Sequence, residues 1–371
     1  MQDSFDVIVV GGGVMGLCAA RELAKRKLSV AIVERGIPGR EASWAGAGIL
    51  PPFNPKWVRA PHDVLKAESA ESFKRLAAEL MAEVAIDIEL LPCGAIELIS
   101  SDEPQTRAVA LQKYETEGTS HTALTNDNAK SKEPGLQIGG LESYFLPDVC
   151  QVRNPRLLRA LIASCNKLGV FLFENCEVVQ FESRATSIHL RTNRADHSEL
   201  SSRKALFTTG AWTGILLKSA GVDLPIFPVR GQIAALQAMP WTLRHVIHFG
   251  KKYLVPRKDG IVLVGSTEED VGFDKTTTPE AIDSLLGFAR QLVPELANVQ
   301  LVASWAGLRP ACSLDRPIVA ALPDQPNVWV AAGHFREGLQ LAPITADLLA
   351  DWLTGREGRV PQGSFPIAEA G

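Results

Sequence analysis

The chain has 371 residues, of which 46% are apolar and 22% are charged, the balance of an ordinary globular protein. This length exceeds what one simple hydrophobic core accommodates, so we expect about two domains. The formal net charge of -4 and the pI near 6.0 indicate no basic face of the kind that nucleic-acid-binding proteins carry. Composition and charge therefore argue against DNA or RNA as a partner.

Location and redox state can also be predicted from the sequence. No apolar stretch approaches the roughly 20 residues that span a bilayer, and the N-terminus lacks the basic and apolar segments of a signal peptide. We therefore expect a cytoplasmic protein with no membrane span. The six cysteines are scattered without a C-x-x-C pair, which predicts reduced, mostly buried thiols and neither a disulfide framework nor a metal site. The oligomeric state stays open, a homo-oligomer included.

The first forty residues predict a strand, a helix and a second strand. Residues 6–10 form a short run rich in β-branched side chains, and residues 29–33 form another, as in buried parallel strands. Between them, residues 14–27 carry apolar side chains at helical spacing, with most charged side chains on the other face. The pattern predicts a βαβ unit.

A glycine motif joins the first strand to this helix. The segment from Gly11 to Gly16 matches G-x-G-x-x-G, and Glu34 ends the second strand. Gly11 allows the tight turn, Gly13 lets backbone approach a pyrophosphate, and Gly16 allows close packing of helix and strand. The helix N-terminus favours the phosphates, and Glu34 is expected to accept hydrogen bonds from ribose hydroxyls. In this context the motif predicts a dinucleotide site.

Further along the chain, apolar spacing predicts four more helices and several short strands. The predicted helices cover residues 62–84, 154–167, 279–292 and 342–353. The predicted strands cover residues 94–99, 143–146, 205–209 and 328–332, with paired strands in 170–190 and an antiparallel sheet from 226–236, 253–256 and 261–265. Residues 36–61, dense in Gly, Pro, Ala and Ser, predict a long loop against a ligand.

Three later segments favour FAD over NAD, which the glycine motif alone does not distinguish. Residues 42–49 are a run of small side chains that lets backbone lie on a large flat ring. Residues 207–212 are similar to a strand end found in flavoproteins that bind two dinucleotides. Residues 333–338 precede the final helix, whose positive end is expected to face the N1–C2=O edge of the flavin, where negative charge builds on reduction.

Together these motifs resemble the D-amino-acid oxidase and sarcosine oxidase class of FAD oxidoreductases, and within it the glycine oxidases of thiamine biosynthesis. The resemblance spans nearly the whole chain. It is carried, in order, by residues 11–16, 43–50, 228–232, 253–257, 305–310 and 333–343.

The predicted fold is α/β, a Rossmann-type FAD-binding domain interleaved with a smaller α+β substrate domain built on an antiparallel sheet. The two domains interleave because nucleotide signals occur at both ends and in the middle of the chain. We assign residues 1–85, 145–220 and 300–371 to the FAD-binding domain. Residues 86–144 and 221–299 are assigned to the substrate-binding domain.

The resemblance implies FAD as the cofactor. We expect it to be bound without covalent attachment, since no cysteine lies in a matching motif. The expected FAD contacts are Gly11, Gly13, Val14, Met15, Gly16, Glu34, Arg35, Ala42, Ser43, Ala47, Gly48, Ile49, Val178, Gly210, His334, Phe335, Arg336, Glu337, Gly338 and Leu339.

The resemblance also makes Tyr253, Arg309 and Arg336 candidates for binding the substrate. Arg309 is the predicted carboxylate anchor, because a guanidinium holds a carboxylate bidentately and so places the α-carbon under the flavin N5. Tyr253 is predicted to hydrogen-bond the same carboxylate. A structural ion pair for Arg309 and a strand aromatic for Tyr253 are the alternatives, and Arg336 either contacts substrate or braces the flavin loop.

Glu268 is the fourth candidate for the substrate site, because it stands where the resembled family carries an apolar methionine. A buried carboxylate must be protonated, paired or used, so inside the pocket it favours a substrate with a cationic group. Lys251 or Lys252 could pair with it and cancel that effect. In the alternative, Glu268 belongs to a solvated acidic turn.

The resemblance implies oxidative deamination of a small amino acid or amine, of the glycine, sarcosine or D-amino-acid type. The α-hydrogen passes as a hydride to flavin N5, the imine hydrolyses, and dioxygen reoxidises the flavin to give hydrogen peroxide. The flavin carries the chemistry, so no catalytic acid or base of the protein is predicted. Two alternatives stay open: a dehydrogenase of the same fold that passes electrons to a quinone or partner protein, and a non-catalytic flavin-binding protein.

Overall fold

The computed structural model describes residues 4–100, 102, 104–238 and 243–367, and in these ranges it has nine α-helices and eighteen strands. The helices are α1 (Val14–Lys25), α2 (Ala42–Ala45), α3 (Pro61–Val84), α4 (Pro104–Glu117), α5 (Asn126–Lys132), α6 (Asn154–Lys167), α7 (Thr213–Lys218), α8 (Pro279–Leu292) and α9 (Gly338–Leu353). The strands are β1 (Ser4–Val10), β2 (Val30–Val33), β3 (Ile49–Leu50), β4 (Ala95–Ser100), β5 (Thr122–Leu124), β6 (Leu141–Leu146), β7 (Cys150–Gln151), β8 (Phe171–Phe173), β9 (Val178–Ser183), β10 (Ile188–Thr192), β11 (Glu199–Phe207), β12 (Ile226–Gln237), β13 (Val246–Phe249), β14 (Lys252–Pro256), β15 (Ile261–Gly265), β16 (Gln300–Cys312), β17 (Ile318–Leu322) and β18 (Gln325–Ala332).

The first sheet has the order β17-β18-β11-β1-β2-β8, in which β18 to β8 run in parallel and β17 is antiparallel to β18; β10 and β9 are attached through β11 as antiparallel strands. β1 pairs in parallel with both β2 and β11, so the predicted βαβ unit is confirmed. Alternate side chains of β1 enter opposite cores: Val7 and Val9 pack under α1, α6 and α9, whereas Ile8 and Val10 pack on the other face. Burial on both faces explains the continuous apolar run that predicted β1.

The second sheet has the order β16-β12-β15-β14-β13-β4-β6-β5 and is antiparallel except where β13 and β4 run in parallel. Its two faces have different neighbours. Leu254 and Val264 lie on the face that packs against α8, whereas Val255 and Leu263 lie on the opposite face. That opposite face carries Tyr253 and packs with Ala47 and Ile49 of the segment after α2. An α/β unit joined to an antiparallel sheet confirms the predicted fold class.

Several predicted elements differ from the structure. Helices 154–167 and 279–292 match α6 and α8, but the expected loop 36–61 contains α2, β3 and a 3-10 turn. α4 was not predicted because its sequence is polar on most positions and lacks a clear apolar stripe. β16 was not predicted either, since glycine, alanine and proline interrupt it.

β16 also bears on the domain division. It is the edge strand of the second sheet, whereas the predicted division put residues 300–312 with the first. It pairs along its whole length with β12, from Ile226↔Cys312 to Gln237↔Gln300. The division into two domains otherwise stays a prediction.

Two features predicted from composition can be described directly. Within the described ranges, no helix is both long and apolar enough to cross a membrane. The six cysteines lie as free thiols, and four of them, Cys18, Cys165, Cys176 and Cys312, are buried.

Candidate functional site

A cavity of about 670 Å³ lies between the carboxyl ends of the parallel strands and the open face of the second sheet. Its walls come from the turn after β1, the end of β2, α2, the second sheet and the loop before α9. In open α/β sheets, ligands bind at the carboxyl ends of the strands, so the cavity lies where the topology predicts a site.

One end of the cavity is formed by the glycine turn. Gly11 has φ +108°, and a Cβ there would lie 2.7 Å from the carbonyl oxygen of Thr208. A Cβ on Gly16 would lie 2.0 Å from the carbonyl oxygen of Gly11 and 2.6 Å from Oγ1 of Thr208. Gly16 therefore does not line the cavity but lets α1 approach the end of β1.

The N-terminus of α1 faces this end of the cavity. Gly13 is its N-cap and supplies no side chain to the first turn, while the Val14 N–H donates to Oγ of Ser43 over 2.9 Å. The carboxylate of Glu34 accepts from the backbone N–H groups of Gly12 at 2.7 Å and Gly36 at 2.9 Å, which fixes it at the end of β2. Helix N–H groups with a fixed acidic side chain beside them suit a phosphate and a ribose.

The structure brings the predicted cofactor residues together along one wall. All of them except Gly16 line the cavity: Gly11, Gly13, Val14, Met15, Glu34, Arg35, Ala42, Ser43, Ala47, Gly48, Ile49, Val178, Gly210, His334, Phe335, Arg336, Glu337, Gly338 and Leu339. They come from segments far apart in the chain, so their convergence is a result of the fold.

The loop before α9 forms another part of the cavity wall. Its Phe335 N–H donates to the carbonyl of Pro310 over 2.9 Å, and α9 begins at Gly338 without a side-chain cap. His334 is buried, and its Nε2 has no hydrogen-bond partner among the described residues. Burial lowers the pKa of His334 to about 4, so the imidazole is neutral at neutral pH. A helix N-terminus beside an unpartnered neutral imidazole is suited to a polar, electron-rich ligand edge.

The opposite end of the cavity is a row of residues across the second sheet. Glu97, His248, Tyr253, Gly265 and Ile233 occupy successive paired positions on β4, β13, β14, β15 and β12, and all of them except Gly265 line the cavity. A Cβ on Gly265 would lie 2.5 Å from the Tyr253 ring, so this glycine makes room for the phenol. Burial raises the pKa of Tyr253, which keeps the phenol protonated as a hydrogen-bond donor.

Arg309 reaches the same face from the edge strand. Its Nη2 donates to Oγ of Ser266 over 2.7 Å and its Nη1 to the carbonyl oxygen of Thr267 over 3.2 Å. A Cβ on Gly231 would lie 2.2 Å from Nη1, so the guanidinium lies across that glycine. Burial lowers the pKa of Arg309 from its ordinary value, yet an arginine stays charged at neutral pH. Among the described residues Arg309 makes no ion pair, so the alternative of a structural ion pair has no support.

Comparison with known proteins identifies the family. The family model for FAD-dependent oxidoreductases, DAO, matches residues 6–352. The chain belongs to the DAO family of FAD-dependent oxidoreductases. It is 39% identical over 368 residues to a glycine oxidase of Pseudomonas aeruginosa, with 98% of each chain covered, and 36% identical over 359 residues to one of Pseudomonas putida, with 95% and 96% covered. The crystal structure of glycine oxidase from Geobacillus kaustophilus superposes with a TM-score of 0.93 at 30% identity and covers 100% of both chains.

The DAO family depends on FAD, and the residues present fit this cofactor. The glycine turn and the α1 N-terminus suit the pyrophosphate, and Glu34 suits a ribose. The unpartnered Nε2 of His334 and the start of α9 suit the polar edge of the flavin ring. FAD attachment without a covalent bond stays a prediction.

The two remaining substrate candidates form an ion pair with each other. Nη2 of Arg336 lies 2.7 Å from Oε2 of Glu268, and Nζ of Lys251 lies 2.9 Å from the same oxygen. Arg336 and Lys251 line the cavity, whereas Glu268 does not. The hydrogen bond from Lys251, together with that from Arg336, holds the pKa of Glu268 below its ordinary value. Glu268 is therefore a paired carboxylate at the rim of the cavity.

Some residues of the cavity escaped the sequence analysis. His248 and Glu97 line it because of strand pairing that the sequence pattern does not show. Arg257 lies within a motif already noted but was given no role. It is buried and donates to Oε1 of Gln151 at 2.7 Å and to the carbonyl of Ala47 at 2.7 Å, so it braces the small-residue wall of the cavity. In the sequence, the position of Arg257 directly after the apolar strand 253–256 was the feature that could have indicated this role.

Proposed function

We propose that this FAD-dependent oxidoreductase oxidises the C–N bond of a small amino acid or amine, of the glycine, sarcosine or D-amino-acid type, and passes the electrons to dioxygen. The observation that carries the proposal is Arg309. It is a partly buried guanidinium on the cavity wall, and among the described residues its side chain bonds only to the uncharged oxygens of Ser266 and Thr267. A buried charge without a counter-ion is costly, so binding a carboxylate there is favourable.

The neighbouring groups favour a carboxylate over other anions. A guanidinium and a protonated phenol present donors to the two oxygens of one carboxylate, and Arg309 and Tyr253 both line the cavity. Gly231 and Gly265 leave the space in which these two side chains lie. Held at its carboxylate, the substrate has its α-carbon in a fixed position relative to the cofactor, which lowers the entropic part of the barrier.

The division of labour between cofactor and protein follows from these residues. FAD, held by the glycine turn, Glu34 and the loop before α9, would supply the redox chemistry, as acceptor of a hydride from the α-carbon and donor of electrons to dioxygen. The protein orients the substrate through Arg309 and Tyr253. Burial raises the pKa of Tyr253 and so keeps the phenol a donor, whereas Arg309 stays charged at neutral pH although burial lowers its pKa. The oxidised product, an imine, hydrolyses to a carbonyl compound and ammonia or an amine.

The known relatives support the substrate class, since the Pseudomonas and Geobacillus proteins are glycine oxidases. We further propose that the enzyme acts in the cytoplasm, on free small molecules.

The experiment is a substrate panel on the FAD-loaded enzyme. Glycine, sarcosine and D-alanine are each mixed with enzyme while dissolved oxygen and hydrogen peroxide are followed. We expect one peroxide formed for each oxygen consumed with at least one of them. Bleaching of the flavin under argon without oxygen consumption in air would favour the dehydrogenase instead, and the absence of bleaching with every amine would contradict the proposal.

A further inference from the structure

The second arginine of the cavity is in a different state from the first. Arg336 lies in the loop before α9, and its Nη2 is bound to Glu268, which follows β15. Lys251, in the turn between β13 and β14, binds the same carboxylate oxygen. Three separate segments thus meet in one bridge, Lys251–Glu268–Arg336, at the rim of the cavity.

Because of this bridge, the two guanidinium groups differ in how strongly each attracts a ligand carboxylate. Arg309 makes no ion pair among the described residues, whereas the charge of Arg336 is compensated by Glu268. The Glu268 side chain is only 25% exposed, so its attraction to Arg336 is screened less than that of a fully exposed pair. A ligand carboxylate that approaches Arg336 must displace Glu268 or lie close to its negative charge.

We propose that Glu268 is a specificity-determining residue: by occupying Arg336 it reserves the pocket for substrates with a single carboxylate and disfavours dicarboxylates. This inference rests on the proposed function, because it takes Arg309 as the site of the first carboxylate. Specificity here comes from an unfavourable element placed against the wrong substrate. Glu268 does not line the cavity, so it acts on a ligand through Arg336.

The test measures binding rather than turnover. Methoxyacetate and diglycolate are the ether analogues of N-methylglycine and of an amine with two acetate arms, and they contain no oxidisable amine. Their dissociation constants are measured on the FAD-loaded enzyme by calorimetry and by the change in flavin absorbance. In the wild type we expect methoxyacetate to bind at least as tightly as diglycolate.

The informative variant is Glu268→Gln, which keeps the size of the side chain and removes its charge. We expect diglycolate to bind about tenfold more tightly, a change of about 1.4 kcal/mol, because Arg336 and Lys251 are then uncompensated. The dissociation constant of methoxyacetate is expected to change less than twofold, since Arg309 is unaffected. Unchanged flavin content would show that the fold is intact.

Two further variants separate the ion pair from general charge. Asp270→Asn removes one negative charge two residues from Glu268, from a side chain that makes no ion pair among the described residues. It should change the dissociation constant of neither ligand more than twofold. In Lys251→Met, Arg336 is the remaining partner of Glu268 in the bridge, and the binding of diglycolate should become weaker. The inference is overturned if Glu268→Gln leaves the ratio of the two constants unchanged, or if Asp270→Asn shifts it equally. A wild type that binds no methoxyacetate would overturn the proposed function as well.

Discussion

The two ends of the cavity differ in the atoms that form them: one end is mainly backbone and the other is mainly side chains. The cofactor end presents backbone: the turn at Gly11, the first N–H groups of α1 and the start of α9. The substrate end presents side chains, Tyr253 and Arg309, on a sheet face whose strands come from distant parts of the chain. Small residues serve both ends, but at the first they bring backbone close to a ligand and at the second they make room for another side chain.

This difference has a consequence for mutations. At the cofactor end, a Cβ on Gly11 or Gly16 would meet a backbone carbonyl oxygen at 2.7 or 2.0 Å, so the glycine turn must change shape and cofactor binding should be lost. At the substrate end, an added methyl group meets a side chain that can move, so substrate affinity should fall by degrees while the cofactor stays bound. The following predictions test that separation.

The largest effect is expected from Gly16→Ala. The new Cβ would lie 2.0 Å from the carbonyl oxygen of Gly11, so α1 must move away from the end of β1. We expect the purified protein to lose nearly all of its bound FAD, measured by flavin absorbance after desalting. Gly287→Ala, in α8 with nothing near its Cβ position, is the matched control and should keep wild-type flavin content. A yellow Gly16→Ala protein with full flavin content would contradict the expected difference between the two ends of the cavity.

A smaller effect is expected from Gly231→Ala. Its Cβ would lie 2.2 Å from Nη1 of Arg309, and the guanidinium must shift. The displaced guanidinium no longer meets the ligand carboxylate in line, so methoxyacetate should bind more weakly, by less than the about 2–5 kcal/mol expected for removing the arginine side chain. Flavin content should equal that of wild type. Loss of FAD in this variant would show that the two ends are not independent.

The smallest effect is expected from Tyr253→Phe. Removing the hydroxyl deletes one hydrogen bond to the ligand carboxylate, about 0.5–1.5 kcal/mol of affinity for methoxyacetate. Burial raises the pKa of Tyr253 above its ordinary value, so the phenol stays protonated as the pH rises to 10. Its contribution to methoxyacetate binding should therefore persist up to that pH. A difference between wild type and variant that vanishes well below pH 10 would contradict a protonated, hydrogen-bonding Tyr253.

How far the sequence predicts each end follows from the same difference. The βαβ unit depends on contacts between neighbouring segments, so the glycine motif and Glu34 identified it directly. Arg309 and Tyr253 came from resemblance, and their relation to Gly231 and Gly265 depends on strand pairing between distant segments. Local pattern carries no information about such pairing.

Glu268 shows the limit most clearly. The sequence suggested Lys251 or Lys252 as a partner for Glu268, and Lys251 does pair with it. The second partner, Arg336, comes from the loop before α9, far away in the chain, and only the fold brings it to the rim. His248 was missed for a different reason: no strand was predicted over 246–249, although β13 pairs with the neighbouring β14 and so places His248 beside Tyr253.

The most direct test of the account compares glycine with methylamine, which lacks only the carboxylate, in the wild type and in Arg309→Ala. The rate of flavin reduction under argon is measured at low substrate concentration for each. If Arg309 anchors the carboxylate, the wild type prefers glycine strongly, and the variant loses about 2–5 kcal/mol of that preference, the range for truncating one partner of a buried charge pair. Methylamine itself should react equally with both proteins. An Arg309→Ala enzyme that keeps the wild-type preference for glycine would contradict the account.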